Sequence, residues 1–214
     1  DMYHTWGDWQ RKLLAEGFYT NNSDVFALTE IGKDENGVII NERGNEKGAV
    51  VYGCTLEGKL AWRNVWQLQA GFTVQQARYK EARSWSENDP NVPLEKRMFR
   101  TPDTYGYFTM SYNPLRALTL ALSGTYTGSM LVEHHAGYIS HNRTETTRRF
   151  VDMGFKAAYD FKFYKSIQMQ VSAGVQNLLN AYQQDFDRGA NRDSGYIYGP
   201  GMPRSVYAVL KLSY

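Results

Sequence analysis

The chain has 214 residues, of which 42% are hydrophobic and 21% charged, with a formal net charge of +2 and a mean hydropathy of −0.56. Against that polar average stand 16 Tyr, 10 Phe and 5 Trp, too many rings for a disordered chain. No apolar run approaches the ~18 residues of a spanning helix. The balanced charge gives no electrostatic case for nucleic acid, and the lone Cys54 excludes an internal disulfide framework.

Along the chain, apolar and polar residues alternate with a period of two, the pattern of strands with two unlike faces. The spacing predicts nine strands, at 9–20, 24–30, 49–62, 65–80, 104–112, 117–131, 147–163, 166–179 and 203–214. In the third, Val50, Tyr52, Cys54, Leu56, Leu60 and Trp62 oppose Thr55, Glu57 and Lys59. In the fourth, Trp66, Leu68, Ala70, Phe72 and Val74 oppose Gln67, Gln69, Gly71, Thr73 and Gln75. The seventh is the clearest: Val151, Met153, Phe155, Ala157, Tyr159, Phe161 and Phe163 share one face, while Asp152, Lys156, Asp160 and Lys162 share the other. All six prolines fall between strands or at a strand's first residues.

Connection lengths also alternate. Short turns are expected near Asn21–Asp24, Arg63–Asn64, Asn113–Arg116 and Tyr164–Lys165, and long loops near 31–48, 81–103, 132–146 and 180–202. That arrangement puts every short turn at one end of an antiparallel wall and every long loop at the other, as in an outer-membrane barrel. A soluble β-sandwich also alternates, but strands of ~13–16 residues exceed the ~5–6 usual in globular sheets. Tyr19, Trp62, Trp66, Tyr112, Phe161, Phe163 and Tyr214 are expected to form an aromatic girdle at the short-turn end. Nine strands cannot close an up-and-down antiparallel barrel, because the first and last would meet parallel. Part of the barrel is therefore expected upstream.

The stretch GVQNLLN (Gly174 to Asn180), the Gly/Asp/Arg-rich loop after it, and GPGMPR (Gly199 to Arg204) opening a last strand with a terminal aromatic resemble the C-terminus of TonB-dependent outer-membrane receptors, particularly those of Bacteroidetes-type bacteria. RTPDTYGYF (Arg100 to Phe108), YTGSMLVEHHAGY (Tyr126 to Tyr138) and FYTNNSDVF (Phe18 to Phe26) are similar to the same group. The resemblance implies an all-β fold, a transmembrane antiparallel β-barrel, with residues 1–214 forming its C-terminal portion. These would be the last nine or so strands of a 22-stranded plugged barrel whose plug domain and earlier strands precede them. It implies active import across the bacterial outer membrane of a scarce nutrient, foremost a metal chelate such as a ferric siderophore, haem or cobalamin. The alternatives are a SusC-like glycan or peptide importer, or a passive porin or surface-binding barrel without energy coupling. Implied partners are the rest of the receptor, the TonB complex, the barrel-assembly machinery, outer-membrane lipid and, optionally, a surface lipoprotein.

Candidate site residues lie in the long loops. His134 and His135 could meet an iron–porphyrin or copper species, although adjacent residues on an extended segment point to opposite faces; the plainer reading is two polar rim residues. Trp85 could stack on an aromatic ligand or anchor the rim. Arg192 and Tyr196, in a loop with Asp185, Asp187, Arg188 and Asp193, could bind a polar chelate or knit the loop internally. By resemblance, Tyr214 is a signal read by the barrel-assembly machinery. No nucleophile elbow, HExxH or phosphate loop is present, so no enzyme, resident metal or cofactor is expected.

Overall fold

The computed structural model describes residues 1–86, 89–164 and 167–213. In chain order the strands are β1 (Met2–Trp6), β2 (Trp9–Asn22), β3 (Val25–Lys33), β4 (Ile39–Glu46), β5 (Ala49–Trp62), β6 (Trp66–Arg83), β7 (Glu95–Arg97), β8 (Thr104–Leu115), β9 (Leu118–Thr127), β10 (Leu131–His134), β11 (Arg143–Thr146), β12 (Phe150–Tyr164), β13 (Ile167–Gln176) and β14 (Ser205–Ser213). Among the described residues there is no helix.

One sheet runs β1-β2-β5-β6-β8-β9-β12-β13-β14, with β7 added to the upper part of β6. Every pairing along this path is antiparallel between sequence neighbours in the wall. The path holds nine strands, so β1 and β14 run in the same direction and cannot close on each other with an antiparallel ladder.

The nine wall strands are not quite the nine expected. Residues 24–30 do not enter the wall: β3 pairs with β4 in a separate two-stranded sheet that prolongs the β2–β5 hairpin. The turn expected at Asn21–Asp24 is absent, because the β2–β5 ladder reaches Asn22↔Ala49 and pairing resumes at Val25↔Glu46. The ninth wall strand is instead β1, joined to β2 through Gly7 and Asp8. Gly7 has φ 58°, a left-handed turn conformation. Arg63, also left-handed at φ 49°, donates through Nη2 to Asp8 at 2.6 Å and through its N–H to the Asp8 carbonyl at 3.0 Å. Two neighbouring short turns are thereby clasped. The expected loop 132–146 likewise contains a hairpin, β10–β11. The turn expected at Tyr164–Lys165 and the terminal Tyr214 lie outside the described residues in whole or part.

Register fixes the two faces. The partners Ala15, Leu56, Phe72, Gly106, Tyr126 and Val151 stand in one row across six strands. Two residues toward the short turns is a row of Leu13, Gly58, Ala70, Phe108, Gly124 and Met153. Lowest lie Trp6, Trp9, Trp62, Trp66 and Tyr112, a continuous aromatic band. Trp9 packs against Trp62 and Trp66, both at 6.2 Å between ring centroids. Tyr19 does not join this band. With the turn at Asn21 gone, β2 runs its full length upward, and Tyr19 pairs with Tyr52 at the long-loop end. The side chain of Phe163 lies outside the described set.

The opposite face is polar and hydrogen-bonded. Gln69 donates to Tyr107 Oη at 3.0 Å, which donates to Glu57 at 3.2 Å, and Thr55 meets Thr73 at 2.9 Å. Lys59, Asp152, Lys156, Asp160 and Lys211 share this face; Asp160 accepts a bond from Gln170 at 2.8 Å.

Glycine and aromatic residues are coupled across strands. The rings of Phe18, Phe72, Tyr107, Phe108 and Tyr207 lie over the glycines directly opposite them: Gly53, Gly106, Gly71, Gly124 and Gly174. A Cβ added at Gly71 would sit 2.6 Å from the Tyr107 ring. Each ring covers backbone that its neighbour leaves bare, a cross-strand pairing that fixes register.

The wall has no core in the usual sense. Leu56 is 54% exposed, Leu210 61% and Val206 79%. An apolar face this continuous requires a covering other than water. Fully packed apolar side chains gather instead among the long loops, around Val132, Tyr196 and Tyr198.

Candidate functional site

The long connections 23–48, 84–103, 128–149 and 177–204 meet above the wall and interlock. The first contributes Glu30, buried at the bulge in β3. Its N–H donates to the Trp85 carbonyl at 2.8 Å, and its carboxylate Oε2 lies 2.8 Å from His135 Nδ1 and 3.3 Å from the Asn142 amide. The Trp85 ring stands edge-on to His135 at 4.6 Å and donates through Nε1 to Thr144 at 3.0 Å. Glu30 of the first loop is thus held by two others, its backbone N–H by the second and its carboxylate by the third.

On the other side of the β10 terminus sits His134, as extended geometry requires of adjacent residues. Its imidazole stacks on Tyr196 at 3.6 Å and an interplanar angle of 4°. Nε2 lies 3.0 and 3.1 Å from the two Asp187 oxygens. A carboxylate only accepts, so Nε2 carries the proton. Nδ1 is buried without a hydrogen-bond partner among the described residues. Asp187 also accepts the Asp193 N–H at 2.9 Å, and Asp193 in turn accepts the His135 N–H at 2.8 Å.

The last loop is tied at both ends. Its base is clamped by the two asparagines of the NLLN stretch. Asn177 and Asn180 adopt left-handed φ of 47° and 50°, a conformation asparagine tolerates better than most residues. The Asn177 amide donates to the carbonyls of Ala181 (2.9 Å) and Met202 (2.8 Å), and Asn180 accepts the Arg204 N–H at 3.1 Å. These bonds join NLLN to the GPGMPR segment across the loop. Higher up, Asp185 accepts from Tyr198 Oη at 2.6 Å and Tyr196 Oη at 2.9 Å. Burial alone would raise the Asp185 carboxyl, but those two hydrogen bonds, together with a backbone hydrogen bond and the charge of Arg148, outweigh it and hold it below its ordinary value. Burial, then the hydrogen bond to Asp185, pushes the Tyr198 phenol up to about 12; burial foremost also raises Tyr196. Arg100 fastens the second connection to the last, donating to the Gly195 carbonyl at 2.6 Å and lying 3.7 Å from Glu133 of the third.

The five candidate loop residues divide by burial. Trp85, His134 and Tyr196 are buried and His135 is half-buried, so four of the five form the packing between loops. His134 and His135 face different partners and do not converge. Arg192 is exposed and donates to the Gly189 carbonyl at 3.3 Å. In the same loop Arg188 lies over the Phe186 ring, and Tyr182 and Ile197 are exposed. Glu30, Asp187 and Asn142 complete the buried network. Sequence reasoning places Asp187 in the charged last loop without its partner and misses Glu30 and Asn142, because these are ordinary polar residues whose partners His134, His135 and Glu30 lie 53 to 112 positions away. No group of three or more candidate metal ligands occurs among the described residues.

The fold is shared with solved receptor structures. The ferric-catecholate import receptor Fiu of E. coli K12 superposes with a TM-score of 0.55 at 18% identity, covering 95% of this chain and 25% of that one. The siderophore receptor PirA of Acinetobacter baumannii gives 0.55 at 16%, over 97% of this chain and 30% of that one. A variant of the ferric enterobactin receptor PfeA of Pseudomonas aeruginosa gives 0.54 at 16%, over 97% and 29%. The chain is a stretch of antiparallel β-barrel wall with its loops. It spans 25–30% of the length of these receptors. No protein-family description and no curated sequence matches it.

Proposed function

We propose that this chain is the C-terminal part of a TonB-dependent receptor in a Gram-negative outer membrane, and that the whole protein imports a ferric chelate. The observation that carries this reading is the likeness of almost the entire chain, wall and loops together, to receptors for ferric siderophores. The apolar face, with its tryptophan band at the short-turn end, suits lipid. The plug, the remaining wall strands and the TonB-contacting segment belong to the rest of the receptor, and Tyr214 serves the assembly machinery. The protein transports and does not catalyse.

Within this reading the loop cluster is a rigid mouth. Trp85, His134, His135 and Tyr196 serve capture by holding the loops in position, while exposed Arg192, with Arg188, meets the negative charge of a ferric catecholate. The test is equilibrium binding of a ferric tris-catecholate to the purified whole protein, read by tryptophan quenching. Sub-micromolar binding that Arg192→Ala weakens severalfold is expected. No binding of any ferric chelate would overturn the assignment.

A further inference from the structure

Between the tryptophan band and the Ala15–Leu56–Phe72 row, the apolar wall face is broken by charge at one place among the described residues, at the foot of β1 and β2. Arg11 is paired across β5 with Leu60 and across β1 with His4, in the row of Leu68, Met110, Leu122 and Phe155. Both cation-capable residues therefore point out of the apolar face, two residues above Trp6 and Trp9. At ~3.4 Å per strand residue they stand about 7 Å inside the tryptophan band. Both are exposed, and neither has a hydrogen bond or ion pair among the described residues. From the tryptophan band up to the Ala15–Leu56–Phe72 row, this face of β1, β2, β5 and β6 carries no acidic side chain. A guanidinium on a lipid-exposed wall is unfavourable unless an anion meets it.

The surroundings are shaped for such an anion with an apolar tail. His4, Trp6, Trp9, Arg11 and Leu60 enclose a notch of about 280 Å³. It shares His4, Arg11 and Leu60 with a groove of about 820 Å³ lined by Leu13, Leu56, Leu68, Phe72 and Phe108. Gly58 and Ala70, adjacent in register between Leu13 and Phe108, deepen that groove. A Cβ built on Gly58 meets nothing within 4 Å, so the space above it is open.

We propose that this is a phospholipid site: the phosphate of a glycerophospholipid is held by Arg11 and His4 between the two tryptophans, and one acyl chain lies in the groove over Gly58. The short-turn end selects a lipid of the periplasmic leaflet, since the long loops mark the opposite surface. The inference rests on the membrane reading above and goes beyond it, because it concerns lipid retained at one place and not cargo.

The experiment is native mass spectrometry of the whole protein carrying this chain, extracted in mild detergent and titrated with phosphatidylglycerol. One retained phospholipid is expected, with apparent affinity lowered at least tenfold in the Arg11→Gln/His4→Gln double variant. Gly58→Leu puts an apolar side chain into the groove without altering charge, from a Cβ position that meets nothing within 4 Å, and is expected to weaken binding to a similar degree. Unaltered binding in both variants, or a wild-type protein that comes out of the membrane and binds no phospholipid, would overturn the inference alone. A wild-type protein recovered without detergent would overturn the membrane reading itself.

Discussion

Replacing Asp187 by alanine isolates the junction on which the loop cluster turns. Asp187 is buried, and its carboxylate is the hydrogen-bond partner of His134 Nε2 as well as of the Asp193 N–H. Because His134 Nδ1 already lacks a partner among the described residues, Asp187→Ala leaves the imidazole with none in a side chain only 4% exposed. An unmatched buried donor costs about 1–3 kcal/mol. Adding a smaller amount for the half-buried Asp193 N–H gives roughly 2–4 kcal/mol against docking of the last loop. At 1.4 kcal/mol per decade, that is a rise of roughly 30- to 1,000-fold in the open population. Amide hydrogen exchange of residues 177–204, compared with that of the β5–β6 ladder, reads it directly. The loop amides should lose protection by that factor while the ladder amides keep theirs, since the hydrogen bonds of the Asp187 carboxylate go to His134 and to Asp193 within the loops. Unchanged exchange in the loop would refute the claim that His134 and Asp187 fasten it.

Other outcomes follow from the same physics. Gly71→Ala and Gly124→Ala force a methyl into the Tyr107 and Phe108 rings and should lower wall stability by about 1–3 kcal/mol, whereas Gly58→Ala, with open space above it, should leave the thermal midpoint unchanged or slightly raised; equal effects at all three would contradict the ring-over-glycine pairing. The raised phenols give stability that is fully present below pH ~10, the ordinary tyrosine value, and is lost as pH rises toward the folded value of about 12 at Tyr198. Hydrogen exchange in residues 183–198 should therefore quicken above pH ~10 beyond its intrinsic rate, and Tyr198→Phe should blunt the change. The lowered Asp185 carboxyl works oppositely: its contribution is present above pH ~4 and lost as acid protonates it, so the same loop should loosen on acidification.

How far the sequence foretold this structure depends on where its information lies. Strands such as β12 were legible because a two-faced wall writes its environment into every second residue. β1 carries no such signal, because its faces, Met2, His4 and Trp6 against Tyr3 and Thr5, differ little in polarity. β3 reads as wall from sequence because alternation records that a strand has two faces and not which strand it pairs with. Phe26 and Leu28 are 78% and 56% exposed in a hairpin that stands beyond the wall. In the loops, composition singled out His134, His135, Trp85 and Tyr196. Their placement inside the cluster follows from contacts such as His135 with Glu30, 105 residues away, which no local pattern encodes.

The measurement that tests the central claim most directly is uptake of an iron-55-labelled ferric tris-catecholate by cells with and without the gene for this protein, in the presence and absence of a protonophore. The account predicts saturable uptake that requires the gene and stops when the proton gradient is collapsed. Uptake that persists without the gene, or that the protonophore leaves untouched, would contradict it.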